Sequence, residues 1–263
     1  MRILVEGSGT STGVPVIGCD CAVCKSPDPR DARLRTGLLV THGGFALQID
    51  AGPDFRQQVL RHNIRRIDAV ALTHTHADHI FGLDEIRQFN TIQRESITAY
   101  ARDFLMPGLR RVFGYIVEPT PAQEKLYRPQ MDFVQLTDTP ARIGPFTIAS
   151  LPIPHGPELS TALKITVEGA CPHAPFVYAS DISAITPEFA GFMRGAGAVM
   201  LDGLRERPHQ SHLTFTEAVN AILQSRVPLG VLTHIGHDVS HERLIRRLPV
   251  KIIPAYDGME IEI

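Results

Sequence analysis

The chain has no excess of either charge: 26 basic against 28 acidic side chains leave a formal net charge of −2 at pH 7. Without a basic excess it cannot hold nucleic acid by bulk electrostatics, and only local basic patches remain for such contact. No apolar run approaches the roughly 20 residues that a membrane-spanning helix requires. The opening MRILVEGSGTSTG has no basic n-region, no long apolar stretch and no small-residue cleavage site, so no secretory signal is expected. Cysteine is scarce: four residues in 263 are too few for a disulfide framework, and three of them crowd into six positions. Low-complexity tracts, long charge runs and internal repeats are also missing. These absences point to a cytoplasmic protein that works away from membranes.

What is present is an ordinary globular composition, 43% hydrophobic and 21% charged, with an unusual 12 histidines, several of them clustered. Short apolar runs rich in Val, Ile and Leu, each flanked by Gly, Pro, Asp or Ser, predict strands at Arg2–Glu6, Leu38–Thr41, Phe45–Ile49, Ala69–Thr73, Ser96–Ala99 and Phe146–Leu151. Further strands are predicted at Leu163–Val167, Phe176–Ala179, Ala198–Leu201, Leu229–Thr233, Val250–Ile253 and Met259–Ile263. Thr41–Gly44 reads as a hairpin turn. Helical spacing appears at Pro53–His62, Ile80–Phe89, Pro187–Arg194, Thr214–Ser225 and His241–Arg247, with Thr214 and Glu217 forming a capping box. Hairpin-linked strands early and strand–helix alternation late give an α/β expectation, a two-sheet sandwich with outer helices. The aromatic and Pro-bearing stretch at about 107–128 breaks that alternation and reads as an inserted excursion over one face.

The segment AVALTHTHADHIFGLDEI carries the most chemistry. An apolar strand ends at Thr73, and His74, His76, Asp78 and His79 follow. Imidazole and carboxylate together suit Zn²⁺, Mn²⁺ or Fe²⁺. The i, i+2 spacing points His74 and His76 the same way from an extended chain. Asp78 and His79 fall where the chain turns into a helix, placed to serve a second metal. Three other strand ends each carry one ligand-capable residue: His155 in LPIPHG, Asp181 after FVYAS and His234 after VLT. A second cluster, GCDCAVC, places Cys19, Cys21 and Cys24 too close for an unstrained disulfide between the first two. Three thiolates on one tetrahedral Zn²⁺ fit better and want a fourth ligand, with His237, Cys171, His241 and His42 as the options.

THTHADH with a later His155, Asp181 and His234 resembles the metallo-β-lactamase superfamily, and the resemblance spans nearly the whole chain, 1–263, as one domain. It implies an αββα metallo-β-lactamase sandwich of two mixed β-sheets and outer helices, with the metals at one edge. It implies His74, His76 and His155 on one metal, Asp78, His79 and His234 on the other, and Asp181 bridging. A redox di-iron branch of the superfamily carries Glu where this chain has His76, which argues for hydrolysis. SGTSTGVP, CDCAVC and THIGH together are similar to the PhnP-type cyclic phosphodiesterases, a branch with an extra zinc, and this implies His237 as the fourth ligand to a structural Zn²⁺.

The expected activity is that of a two-metal phosphodiesterase. Two divalent ions, Zn²⁺ or Mn²⁺, share a hydroxide that attacks a small cyclic phosphodiester, and the PhnP-type resemblance implies 5-phosphoribosyl 1,2-cyclic phosphate. His212, which matches a family His beside the metals, is the expected proton donor, ahead of His209, with Asp78 also in the catalytic group. Asp50, ending FALQID, resembles a buried Asp that orients a ligand. Arg87 and Ser11 are the expected substrate contacts, followed by Arg111, Arg205 and Arg207 for a second phosphate. Rival expectations are an RNA-processing nuclease of tRNase Z type, whose long basic arm is not found here, a lactam or thioester hydrolase, and a zinc-stabilised binding protein. A homodimer is expected only on the base rate for soluble enzymes.

Overall fold

The computed structural model describes residues 1–167 and 175–263; Cys171 lies outside the described residues. In chain order the first-half strands are β1 (Arg2–Gly7), β2 (Gly37–His42), β3 (Phe45–Ile49), β4 (Ala69–Ala71), β5 (Ile97–Arg102) and β6 (Met131–Leu136). The second half adds β7 (Ala141–Ile143), β8 (Phe146–His155), β9 (Glu158–Val167), β10 (Phe176–Ala179), β11 (Ala198–Asp202), β12 (Leu229–Thr233), β13 (Ile252–Pro254) and β14 (Glu260–Glu262). Among the described residues they form two seven-stranded sheets, β14-β1-β2-β3-β4-β5-β6 and β13-β12-β11-β10-β9-β8-β7. Both are mixed: β1, β2 and β3 pair antiparallel and β3 through β6 parallel, while β7 through β10 pair antiparallel and β10 through β13 parallel. The expected αββα sandwich is what forms.

The reason lies in two-sided strands. Ile3, Val5, Leu38, Val40, Leu47 and Ile49 of one sheet meet Phe146, Ile148, Leu163, Ile165, Tyr178 and Met200 of the other in the central core. The opposite faces are apolar too. Leu39, Ala46, Val70 and Leu72 pack outward under α1 (Phe55–Arg61), α3 (Ile86–Gln93) and α4 (Met106–Val117). Val177, Val199 and Leu201 pack under α5 (Pro187–Met193), α6 (Phe215–Ser225) and α7 (His241–Ile245). Strands buried on both faces read as continuous apolar runs rather than alternating ones, and each Leu, Ile or Phe so buried contributes about 1.5–3 kcal/mol of transfer free energy.

Several local expectations hold. Gly43 and Gly44 both take positive φ, 58° and 85°, as a two-residue hairpin turn requires. The Thr214 hydroxyl accepts from the Glu217 N–H while the Glu217 carboxylate accepts from the Thr214 N–H at 2.8 Å, which closes the capping box. Three expectations need correction. The sequence shows no strand at β6 or β7; both are edge strands, β7 only three residues long and β6 with exposed positions, so neither carries a two-faced apolar signal. The last strand of the second sheet starts at Ile252 because Val250 points fully into solvent. The helix expected over Ile80–Phe89 is broken: α2 (Ala77–Ile80) and α3 are separated by Gly82 and a 3-10 turn at Leu83–Glu85. Of the 107–128 stretch, the first part is α4, whose Leu109, Phe113 and Ile116 are buried against the first sheet. The remainder runs through a 3-10 turn at Gln123–Lys125 with Leu126 and Tyr127 exposed.

Glu6 is fully buried on β1, where Gln48 Nε2 donates to one of its carboxylate oxygens and the other has no partner. Burial pushes its pKa up to about 7, against the Gln48 hydrogen bond. The folded state therefore holds a proton that the unfolded chain releases near the ordinary Glu value, so this residue costs stability as pH rises from about 4.5 to about 7. Glu6→Gln is expected to stabilise the protein above pH 7 by up to about 3 kcal/mol and to have little effect near pH 4.5; urea unfolding at both pH values measures the difference. A gain equal at both would refute the buried-carboxylate account.

Candidate metal centre

The loop after β4 runs extended through His74 and His76, then α2 begins and carries Asp78 and His79 in its first turn. Two glycines let this turn lie against the loop after β3. A Cβ on Gly52 would run into the Asp78 carbonyl, and one on Gly82 into the Gly52 carbonyl. Ala51 N–H donates to His79 O at 2.7 Å and Gly82 N–H to Ala51 O at 2.8 Å. Three further residues, Asp50, Asp181 and His234, sit just past β3, β10 and β12 with φ of 58°, 55° and 58°. Non-glycine residues held left-handed at three strand ends mark backbone constrained to aim side chains.

The side chains converge. His74, His76, His155 and Asp181 bring ligand atoms within 4.8 Å of one another, and so do Asp78, His79, Asp181 and His234. Asp181 belongs to both sets. Its Oδ1 lies 3.7 Å from His74 Nε2, 3.6 Å from His155 Nε2 and 3.5 Å from His234 Nε2, and its Oδ2 lies 3.1 Å from His79 Nε2. His79 Nε2 and His234 Nε2 stand 3.4 and 3.7 Å from Asp78 Oδ2. Two donors at about 2.0–2.1 Å from a tetrahedral ion are separated by about 3.4 Å, so these spacings fit a metal.

The orphans fit as well. His74 Nε2, His79 Nε2, His234 Nε2 and Asp181 Oδ2 are buried and have no hydrogen-bond partner, a costly arrangement unless a cation satisfies them. Electrostatics points the same way. Burial works against ionised Asp78, yet the nearby imidazoles of His234 and His79 hold its pKa well below the usual carboxylate range. Burial likewise opposes ionised Asp181, and the charges of His234 and His79 outweigh it. His234 rises to about 9 because Asp181 and Asp78 overcome its burial, whereas burial and neighbouring His79 push His74 well down. A buried cluster of carboxylates and imidazoles with inward orphans is the donor set of a divalent metal centre.

Outer contacts aim the donors. Asp50 accepts from Thr73 N–H at 2.8 Å and from Thr73 Oγ1 at 2.7 Å, and its Oδ2 bonds His79 Nδ1 at 2.7 Å. His155 Nδ1 donates to the Ser211 carbonyl at 2.8 Å. His212 lies on the same side, its ring stacked 4.7 Å from His234, and its Nδ1 bonds Asp202 Oδ2 at 2.8 Å. The sequence reading missed Asp202; its signal was one more carboxylate at a strand end, of the kind that identified Asp181. His209 packs 5.0 Å from the His212 ring and bonds Ser211 instead of the centre.

The cysteine loop closes on the same edge. His237 Nδ1 lies 3.4 Å from Cys19 Sγ, 3.5 Å from Cys21 Sγ and 3.4 Å from Cys24 Sγ, near the roughly 3.5 Å separating S and N on a tetrahedral zinc. The Cys24 N–H, with lesser help from His237 and against burial, brings the Cys21 thiol down to about 6, while burial pushes Cys24 up to about 11. Buried Arg33 ties the two segments: it pairs with Asp31 at 3.0 Å and donates to Gly236 O at 2.7 Å and Val239 O at 3.2 Å. Of the other options for a fourth ligand, neither His241 nor His42 is in this group. His241 is buried, its ring packed on Tyr256 and its backbone N–H given to Asp31.

The expected substrate contacts separate. Arg87 pairs with Asp84 at 2.7 Å and covers the Tyr127 ring at 5.6 Å, so it braces the segment after α4. Arg205 donates to the Arg207 and Pro208 carbonyls, and Arg207 pairs with Asp238 at 3.5 Å. Ser11 is exposed, its carbonyl accepting from Arg35 at 2.9 Å. Arg111 instead lines a cavity of about 400 Å³ beside His74, with Thr75, Phe104, Leu105, Pro107, Gly108, Glu158 and Leu159.

The β-lactamase superfamily domain matches residues 47–235, from β3 to just past His234. A solved diphosphatase of the PhnP family superposes with a TM-score of 0.89 and 35% identity, covering 100% of this chain and 97% of that one. The chain belongs to the β-lactamase superfamily, in its PhnP family. It has the metallo-β-lactamase fold. This PhnP-family chain is also 34% identical over 264 residues to a protein named octanoyltransferase from Porphyromonas gingivalis, matching 99% of its own length but spanning only 51% of that protein. Zn²⁺-bound PqqB from Methylobacterium extorquens shares the fold, with a TM-score of 0.80 and 18% identity over the full length of both chains. Among the described residues of this PhnP-family chain, no helix is long and apolar enough to cross a membrane.

Proposed function

We propose that the protein is a dinuclear metal-dependent phosphodiesterase that opens a small cyclic phosphodiester such as 5-phosphoribosyl 1,2-cyclic phosphate. The observation that carries this reading is Asp181 shared between two donor sets, with the Asp202-held His212 beside them. His74, His76, His155 and Asp181 would hold one ion, and Asp78, His79, His234 and Asp181 the other. When bound, two divalent ions neutralise phosphoryl oxygens and make hydroxide available near neutral pH.

The chain's own residues supply the rest. Asp202 accepts from His212 Nδ1 at 2.8 Å, so a protonated His212 presents Nε2–H toward the cluster, ready for the leaving alkoxide. Asp50 orders Thr73 and His79 together, which fixes the Nε2 lone pair of His79 on the inner side. Arg111 offers its charge to an anionic arm of the substrate in the cavity beside His74. The similarity to a PhnP-family diphosphatase supports phosphoryl chemistry.

A second reading, acyl ester or thioester hydrolysis, draws on the same centre, and the octanoyltransferase-named relative, about half of which this chain matches, keeps it in the test. Metal-loaded protein is assayed against bis(4-nitrophenyl) phosphate, an acyl thioester, a β-lactam and a tRNA precursor. Phosphodiester turnover exceeding the others by at least about 100-fold is the expected result. Faster thioester cleavage would replace the reading.

We further propose Cys19, Cys21, Cys24 and His237 as a closed structural zinc site. Cys21→Ser is expected to lower bound zinc by one per chain and to lower the melting temperature, because the ligands hold an N-terminal loop onto the segment after β12. Zinc content by plasma mass spectrometry checks this, and unchanged zinc would refute it.

A further inference from the structure

An imidazole that binds metal through one ring nitrogen is aimed by whatever holds the other. His74 Nδ1 meets Thr73 Oγ1 at 3.1 Å, His79 Nδ1 meets Asp50 at 2.7 Å, and His155 Nδ1 meets Ser211 O at 2.8 Å. Each of these three turns Nε2 toward Asp181. His76 is reversed. Its Nδ1 faces inward, 3.3 Å from His155 Nε2, and its Nε2 faces outward, 3.1 Å from Glu158 Oε2.

Glu158 owes that place to the β8–β9 hairpin. It is the first residue of β9, directly opposite His155, the last of β8. The two-residue turn between them needs a left-handed position, which Gly156 supplies with φ of 58°. One tight turn thus presents His155 to the centre and Glu158 to the back of His76, which comes from the other sheet.

We infer that Glu158 is a positioning residue for His76: its carboxylate accepts the Nε2–H, keeps the proton off Nδ1 and leaves that lone pair pointing at the centre. The inference rests on the reading of His76 as a metal donor. His76 needs such a partner more than its neighbours do. Its side chain is 44% exposed, whereas those of His74, His79 and His155 are 2% or less. The χ2 torsion of histidine is broad and roughly two-fold, so an unheld ring at the rim samples orientations that aim carbon or the wrong nitrogen inward. Glu158 is 59% exposed, so the pair adds little to folding stability, and its removal leaves the fold intact.

Zinc and manganese titrations of the full chain against a chromophoric chelator test this, together with ¹⁵N correlation spectra of the histidine rings in the metal-free protein. Glu158→Ala is expected to weaken one active-site metal about tenfold, the low end for outer partners of metal-bound histidine because this one faces solvent. The melting temperature of the metal-free protein stays unchanged, and His76 shifts from its Nε2–H form to a mixture. Glu158→Gln, which keeps an acceptor oxygen, restores affinity to within about threefold of the parent. Parent-like affinity and an unchanged His76 tautomer in Glu158→Ala would overturn the inference. His76→Ala distinguishes a deeper failure: it is expected to lose one active-site metal outright, and retention of both would overturn His76 as a donor and the role of Glu158 with it.

Discussion

Asp181→Asn is expected to lower kcat on bis(4-nitrophenyl) phosphate by about 10³-fold or more, equivalent to about 4 kcal/mol of barrier, and to reduce active-site metal by at least one ion per chain. The reason is positional. One carboxylate oxygen of Asp181 lies 3.5–3.7 Å from three imidazole nitrogens and the other 3.1 Å from a fourth. Asparagine keeps the shape and one acceptor but turns an NH₂ group, a donor, toward one of the two cation positions. The residue is buried at the end of β10 with left-handed backbone, a conformation asparagine adopts readily, so the fold should survive. Turnover and mass-spectrometric metal counts on the same sample check it. A variant that keeps both metals and parent-like turnover would show that Asp181 does not join the two sets.

His212→Gln is expected to lower kcat by about 10²–10³-fold on a cyclic ribosyl phosphate, the usual scale for a positioned proton donor, and by less than about tenfold on bis(4-nitrophenyl) phosphate. The contrast follows from the leaving groups: an alkoxide needs a proton as the bond breaks, and 4-nitrophenolate does not. Active-site metal content stays at the parent value, because the His212 Nδ1 is engaged by Asp202 and its ring stacks on His234 from outside the two Asp181-sharing sets. Asp202→Asn should show the same contrast at smaller size, since it weakens the hydrogen bond that orients the His212 ring. Equal losses on both substrates, or loss of metal, would make His212 part of the scaffold and not the donor.

These residues also show how far the amino-acid order alone reaches. The sandwich is legible because its central strands bury both faces, so runs such as Ala198–Leu201 and Leu229–Thr233 stand out. Edge strands β6 and β7 are not, because strands that pair on one side only need few apolar residues. The donors are legible because a strand end tolerates little variety: His74, His76, Asp78 and His79 are adjacent, and His155, Asp181 and His234 each follow an apolar run. Outer partners are harder. Asp202 reads in sequence as a residue leaving a strand, and only the packing of the following loop brings His212 back to it. Glu158 acquires meaning only when a hairpin from one sheet is laid over a loop of the other. Arg87 looked well placed on a helix starting at the histidine motif, yet its charge is taken by Asp84 and its face by Tyr127.

The central claim, two-metal hydrolysis of a small cyclic phosphodiester, is tested most directly by ³¹P NMR. Metal-loaded protein is incubated with 5-phosphoribosyl 1,2-cyclic phosphate and, in parallel, with 2′,3′-cyclic AMP, each with and without chelator. Conversion of the ribosyl cyclic resonance to that of a monoester, abolished by the chelator, is the predicted result. Both cyclic resonances unchanged in the presence of bound metal would contradict it.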